Sequence, residues 1–195
     1  MKIYLGTVIF LLISFGFGQT NFPVPDDGYV SNRREYALIN DYKSLDIDKS
    51  KSKITFNFIE EETSGTIGGL DFTIDFNPTD PDNASFKGTA LVKTLDTDNF
   101  LRDGHLMWEK FFYKKKHPKI SFESTQVVSF EENTYKVIGN LTIKGTKKEV
   151  IITFTLDDQK LSGVTTIFTS DFGVNIHDER EKNKLDIQFF FPILK

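Results

Sequence analysis

Eight short segments of this chain alternate apolar and polar residues with a period of two, and that rhythm restricts them to strands. In ITFNF, Ile54, Phe56 and Phe58 fall on one side of an extended chain and Thr55 and Asn57 on the other. Phe72, Ile74 and Phe76 repeat the pattern against Asp71, Thr73 and Asp75. The remaining segments are 86–92, 120–124, 135–143, 150–156, 161–168 and 185–191. Turn residues separate them, among them Gly68-Gly69, Asn77-Pro78, Pro81-Asp82-Asn83, Gly145 and Asp157-Asp158. Short strands with local turns predict an all-β fold, an eight-stranded antiparallel meander that closes into a barrel and leaves no open edge.

The phase of the alternation bears on function. Phe86, Val92, Ile120, Phe122, Val137, Leu141, Ile143, Val150, Ile152, Phe154, Ile167, Leu185, Ile187, Phe189 and Phe191 continue the bulky face. With 20 Phe against 6 Tyr and 1 Trp, most rings carry no polar group and need a dry place. An eight-stranded barrel is just wide enough either to be filled by such residues or to hold one elongated apolar ligand. Alternation alone also fits an outer-membrane barrel, which turns its apolar face to lipid. Against that stand the lack of Tyr and Trp girdles and the insertion at 102–117.

Ahead of the strands, Lys2 and the apolar run Ile3–Phe17, ending in small residues near Gly18, predict a secretory signal peptide over 1–18. The run is too short for a good membrane span, so the mature protein is expected to have no transmembrane segment and to be periplasmic or secreted. The absence of cysteine excludes a disulfide framework and a lipoprotein anchor. Residues 19–44, with two prolines and paired charges, read as an arm or linker with one added strand at Tyr36–Ile39, and residues 45–195 as the barrel domain. The net charge of −4 does not favour nucleic acid as a partner.

The stretch RDGHLMWEKFF, 102–112, interrupts the strands and gathers Arg102, Asp103, His105 and Glu109. Asp96, Thr97 and Asp98 are good caps for a short helix within about 98–113, weakened by Gly104. Leu101, His105 and Trp108 share one face of that helix, with Leu106 and Phe112 near it, so the segment is expected to lie over one barrel end as a lid. A catalytic reading finds little support. His105, His117 and His177 are dispersed, without the spacing of a zinc site. DTDN at 96–99 fails as a calcium loop, because Phe100 and Leu101 follow where an oxygen ligand and a glycine are needed. No G-x-S-x-G elbow occurs, and the glycines of SGTIGGL precede no helix. Neither enzyme activity, metal nor cofactor is expected. Arg102 and Asp103 are expected to fix the lid by an ion pair or cap, and His105 to hydrogen-bond at the rim. KKKH at 114–117 and KGTKK at 144–148 read as solvated turns, or as a site beside the barrel mouth for a phosphate headgroup.

Four stretches, SKITFNF, GGLDFTIDFNP, LDTDNFLRDGHLMWEKFFYKKKHPKISFEST and YKVIGNLTIKGTKKEVIITFTL, resemble in order the YceI-like family of secreted bacterial polyisoprenoid-binding proteins, over residues 45–195. The resemblance implies a lipocalin-like eight-stranded barrel with an apolar tunnel for a long isoprenoid or other lipid chain, and no catalytic apparatus. Two positions depart from the family's habit: Ser170 stands where an Arg often precedes Asp-Phe-Gly, and Leu70 where an aromatic often follows the glycine. The expected ligand wall comprises Ile54, Phe56, Phe58, Phe72, Ile74, Phe76, Phe86, Leu106, Phe112, Phe122, Leu141, Ile152, Phe154, Ile167 and Phe189. The alternative is a filled barrel whose rim or 19–44 arm contacts another protein.

Overall fold

The computed structural model describes residues 44–194. The expected signal peptide, and the 19–44 arm apart from Ser44, lie outside the described residues. Nine strands occur among the described residues: β1 (Lys53–Phe58), β2 (Thr63–Ile67), β3 (Asp71–Asp75), β4 (Ser85–Leu91), β5 (Lys119–Glu131), β6 (Thr134–Ile143), β7 (Thr146–Leu156), β8 (Lys160–Phe168) and β9 (Lys184–Pro192). They pair antiparallel in the order β2-β1-β9-β8-β7-β6-β5-β4-β3 and curl into a half-barrel of lipocalin-like form. One helix, α1 (Phe100–Leu106), lies between β4 and β5.

The ninth strand is β2, TSGTI, which carries no regular apolar alternation and so escaped the period-two reading. Its place is fixed by β1: Phe56 pairs with Gly65, and the Phe56 ring occupies the space a Cβ would need there. A second surprise is β5, which runs on past residue 124 because a bulge between Ser124 and Gln126 shifts the register. The extra residue inverts the parity, so Val127 points inward, almost fully buried, although Ile120 and Phe122 set the opposite phase. On the other side of β5, Ser124 Oγ accepts the Phe86 N–H of β4 at 2.9 Å.

The sheet's two edges, β2 and β3, are consecutive in the chain, with only Gly68, Gly69 and Leu70 between them. Gly69 takes φ +59°, a left-handed conformation that suits glycine, and a Cβ there would collide with Leu91. The open side is then crossed by the chain that follows β4. Thr66 and Asp96 exchange backbone hydrogen bonds of 2.9 and 3.0 Å, and Leu91 N–H donates to the Gly68 carbonyl at 3.1 Å. Thr94 Oγ1 accepts the Gly68 N–H at 2.9 Å. The edge that would otherwise recruit another strand is thereby capped.

Apolar residues face the interior, whereas Asp71, Thr73 and Asp75 of β3 are exposed. That is the reverse of a lipid-facing barrel, in which the polar set points inward. One end of the interior is solid. Phe76 meets Tyr135 edge-on at 4.7 Å, and both join Val127 and Leu161 in a core against which Leu45 and Ile47 pack. Leu45 N–H donates to the Phe76 carbonyl, and Ile47 bridges Ile193 beyond β9, so residues 45–47 seal this end. Near the other end, the fully buried Asn183 fastens the connection between β8 and β9. Its Oδ1 accepts from Ile176 N–H and His177 N–H, and its Nδ2 donates to the carbonyls of His177 and Glu179, all at 2.8–3.1 Å.

Candidate functional site

Between the sealed end and the helical segment the half-barrel holds a cavity of about 480 Å³. Of the residues expected to touch a ligand, Ile54, Phe56, Phe58, Phe72, Ile74, Phe86, Leu106, Phe112, Phe122, Leu141, Ile152, Phe154 and Phe189 line it. Phe76 and Ile167 do not. Phe76 is fully buried in the sealed end, and Ile167 is buried in a cluster with Ile143, Phe172 and Val174. Both have the right parity, but parity says only which way a side chain points and not how far along the barrel the void extends. Conversely, Ile67, Leu70, Leu95, Phe111, Val174 and Ile176 line the cavity without having been singled out as site residues. They sit in β2, in turns or in loops, where no period-two signal marks the inward face.

The cavity stays open in spite of so many Phe rings because several of those rings lie over glycines of adjacent strands. A Cβ on Gly163 would fall within 3.0 Å of three atoms of the Phe154 ring, and Cβ atoms on Gly65 and Gly139 would meet the rings of Phe56 and Phe122 in the same way. An aromatic ring over a cross-strand glycine covers exposed backbone and occupies the wall rather than the centre. Phe154 also stacks with Phe86 at 5.2 Å and packs against Phe189 and Phe191, giving a continuous aromatic wall.

Polar residues reach the lining at the helix end, from Glu61, Thr63, Thr97, Arg102, His105 and Thr169, and along the strands, from Lys87, Thr89, Ser121 and Thr165. The buried Thr97 organises the rim at the helix end. Its Oγ1 donates to Asp103 Oδ1 at 2.6 Å and accepts from Arg102 Nε at 2.9 Å, while Arg102 Nη1 reaches Thr63 Oγ1 of β2 at 2.9 Å. Arg102 and Asp103 thus fix the helix to the sheet, as expected, but through Thr97. Glu61 Oε1 lies 2.9 Å from His177 Nε2, a close contact whose angles do not form a hydrogen bond. The buried Thr169 hydroxyl, beside Ser170, has no protein hydrogen-bond partner. Among the described residues, no three His, Asp or Glu side chains gather to hold a metal ion.

Three expectations for the helix need correction. Its cap is Asn99 and not Asp96, Thr97 or Asp98: Asn99 Oδ1 accepts from Leu101 N–H and Arg102 N–H. The cavity-facing residues are Arg102, His105 and Leu106, whereas Leu101 and Trp108 are turned largely to solvent. The helix ends at Leu106, too early to carry Leu101 and Trp108 inward on one apolar stripe. His105 packs its ring on Trp108, 4.5 Å between centroids, in place of a rim hydrogen bond.

A model of the YceI-like domain matches residues 45–191. The chain belongs to the YceI-like family. Relatives include a UPF0312 protein of Pseudomonas savastanoi pv. phaseolicola, 26% identical over 150 residues, which are 72% of this chain and 76% of the relative. Another, from Photorhabdus laumondii, is 34% identical over 119 residues, 60% of this chain and 61% of its own length. Among solved structures, Burkholderia cenocepacia BcnA superposes with a TM-score of 0.70 at 24% identity, covering 77% of this chain and all of that one. A polyisoprenoid binding domain from Saccharophagus degradans, implicated in plant cell wall breakdown, gives 0.53 at 10% identity, covering 77% of this chain and 98% of that domain. At these identities the two structural likenesses establish the fold.

Proposed function

We propose that this YceI-like protein is an exported, non-enzymatic carrier that holds one apolar chain of prenyl, isoprenoid quinone or fatty acyl type in its interior. The observation that carries this reading is the cavity of about 480 Å³, walled mainly by Phe, Ile and Leu, with a group of polar side chains at the helix end. Its volume is that of a small-molecule site. At about 30 Å³ per water-sized group it takes roughly 16 methylene or methyl groups, so a longer polyprenyl chain would be only partly enclosed. At about 0.3 to 0.8 kcal/mol per buried carbon, such a chain gains roughly 5 to 13 kcal/mol.

The polar rim supports an orientation. The tail lies against Phe72, Phe86 and Phe154, and an oxygenated head meets Arg102, His105 and the unpartnered Thr169 hydroxyl. The polyisoprenoid-binding description of the S. degradans domain supports the ligand class, and the apolar run Ile3–Phe17 behind Lys2 supports export. A filled interaction domain is disfavoured by the size of the cavity.

Organic extraction of the purified protein, with mass spectrometry of the extract, tests the reading. A stoichiometric prenyl or acyl species is expected. An empty extract together with no uptake of added prenyl alcohol would overturn it.

A further inference from the structure

We propose that the outer face of the helical lid is a docking surface for an anionic lipid bilayer, from which the cavity is loaded. The proposal rests on the reading of the cavity as a lipid site and adds where the lipid comes from. Phe100, Leu101 and Trp108 are 81%, 61% and 60% exposed, three large apolar side chains within nine residues on the segment that roofs the cavity. Scattered exposed apolar residues are ordinary, but a clustered set marks a contact surface. On the outer wall Phe130 and Phe190 each carry a lysine ammonium over the ring, from Lys136 and Lys160, whereas the smaller Ile151 and Val164 are exposed on β7 and β8.

Charge selects the occupant. Between Lys93 and Lys119 the chain has seven Lys and Arg against four Asp and Glu, on a protein whose net charge is −4. Tyr113 N–H donates to the Trp108 carbonyl at 2.9 Å and Lys114 N–H to the Met107 carbonyl at 3.1 Å, folding the exposed run Lys114–Lys116 back against the end of the helix. Lys144 Nζ braces this fold by donating to the Lys110 carbonyl at 3.1 Å. Apolar side chains that enter the headgroup region, flanked by lysines that meet anionic phosphates, form the general pattern of an interfacial membrane anchor. The inner side of the same segment presents Leu106 and Phe112 to the cavity, so a chain leaving the bilayer would pass from one apolar surface to the next.

Trp108 is the sole tryptophan, so its emission reports on the lid alone. With the full chain and vesicles of phosphatidylglycerol and phosphatidylcholine, a blue shift and quenching by brominated acyl chains are expected, both weakened by high salt. Insertion of the apolar run Ile3–Phe17 cannot imitate a signal that arises at Trp108. Lys114→Gln, Lys115→Gln and Lys116→Gln together should lower partitioning roughly a hundredfold, from about fivefold per lysine. Phe100→Ser with Leu101→Ser should slow uptake of a prenyl alcohol from vesicles while leaving uptake from ethanol solution unchanged. Trp108 emission indifferent to anionic vesicles, or variants that load from vesicles like the parent, would overturn the proposal; the former would assign the patch to a protein partner. Failure of the parent to take up prenyl alcohol from ethanol would instead strike at the cavity reading, whatever the lid does.

Discussion

The ring of Phe154 lies across Gly163, its partner in the β7–β8 ladder, and occupies the space that a Cβ at that position would need. The pairing keeps a bulky aromatic on the wall of a barrel that is only just wide enough to be hollow.

Gly163→Ala should therefore push the Phe154 ring toward the lumen. The expected cost is that of overpacking, about 1–3 kcal/mol in denaturant unfolding, together with weaker uptake of a prenyl ligand. Unfolding and uptake both equal to the parent would show that the ring has room to yield elsewhere.

Two further substitutions separate the wall from the sealed end. Phe76→Ala, in the solid core, should cost about 3–5 kcal/mol yet leave the number of ligands bound per folded protein unchanged. Leu141→Trp fills cavity space and should abolish binding at a cost in stability below about 3 kcal/mol. Titration with a prenyl alcohol at a temperature where both variants are folded decides between them, and a Leu141→Trp protein that still bound one chain would move the ligand out of the lumen.

The lid is held by a small number of hydrogen bonds. Thr97→Val keeps shape but removes the hydroxyl shared by Arg102 and Asp103, and should release about 1–3 kcal/mol of local stability. Hydrogen exchange read residue by residue should speed up in 97–117 and not in β6 or β7. Uniform acceleration would mean that Thr97 supports the whole fold instead.

Asp171 provides a pH test. Arg180 donates to it through Nε at 2.8 Å and Nη2 at 2.7 Å, and this pairing outweighs burial to hold the Asp171 carboxyl below its usual range. A group whose folded pKa is lowered contributes stability above its unfolded pKa, near 4, and loses that contribution as pH falls through the folded value. The melting-temperature gap between parent and Asp171→Asn should be small, as befits a half-exposed pair, constant from pH 7 to about 5, and closing below pH 4. A gap that widened in acid would reverse the sign and dismiss the pairing.

The sequence revealed what repetition can carry. Each of the eight alternating segments falls on a strand, with only Phe76 and Val92 just past a strand end, and the inward face of β1, β3 and β7 is the one the parity marked. Parity failed where a single residue intervened, as at the Ser124–Gln126 bulge, and where the strand was built around a ring on its neighbour, as at Gly65. The rim was half legible. Arg102 and Asp103 stood out as lid fasteners, but their meeting on Thr97 depends on the loop from Val92 to Asn99, which has no periodic signal. Glu61 and Thr169 reach the cavity from a turn and from the short 3-10 helix after β8, and Asn183 looks from sequence like one more turn residue. Its four hydrogen bonds exist only once the β8–β9 connection has folded around it.

The strand order has a consequence for when the protein can first hold anything. From β3 to β9 every ladder joins neighbours in sequence, and these hairpins can form one after another as the chain lengthens. The ladder between β1 and β9 is different: it joins Ile54 to Phe189, the first of the described strands to the last. Two residues that face each other across that seam are thus made far apart in time. The wall therefore exists only once β9 has been made, more than a hundred residues after β1, and a chain truncated before β9 is expected to lack the cavity.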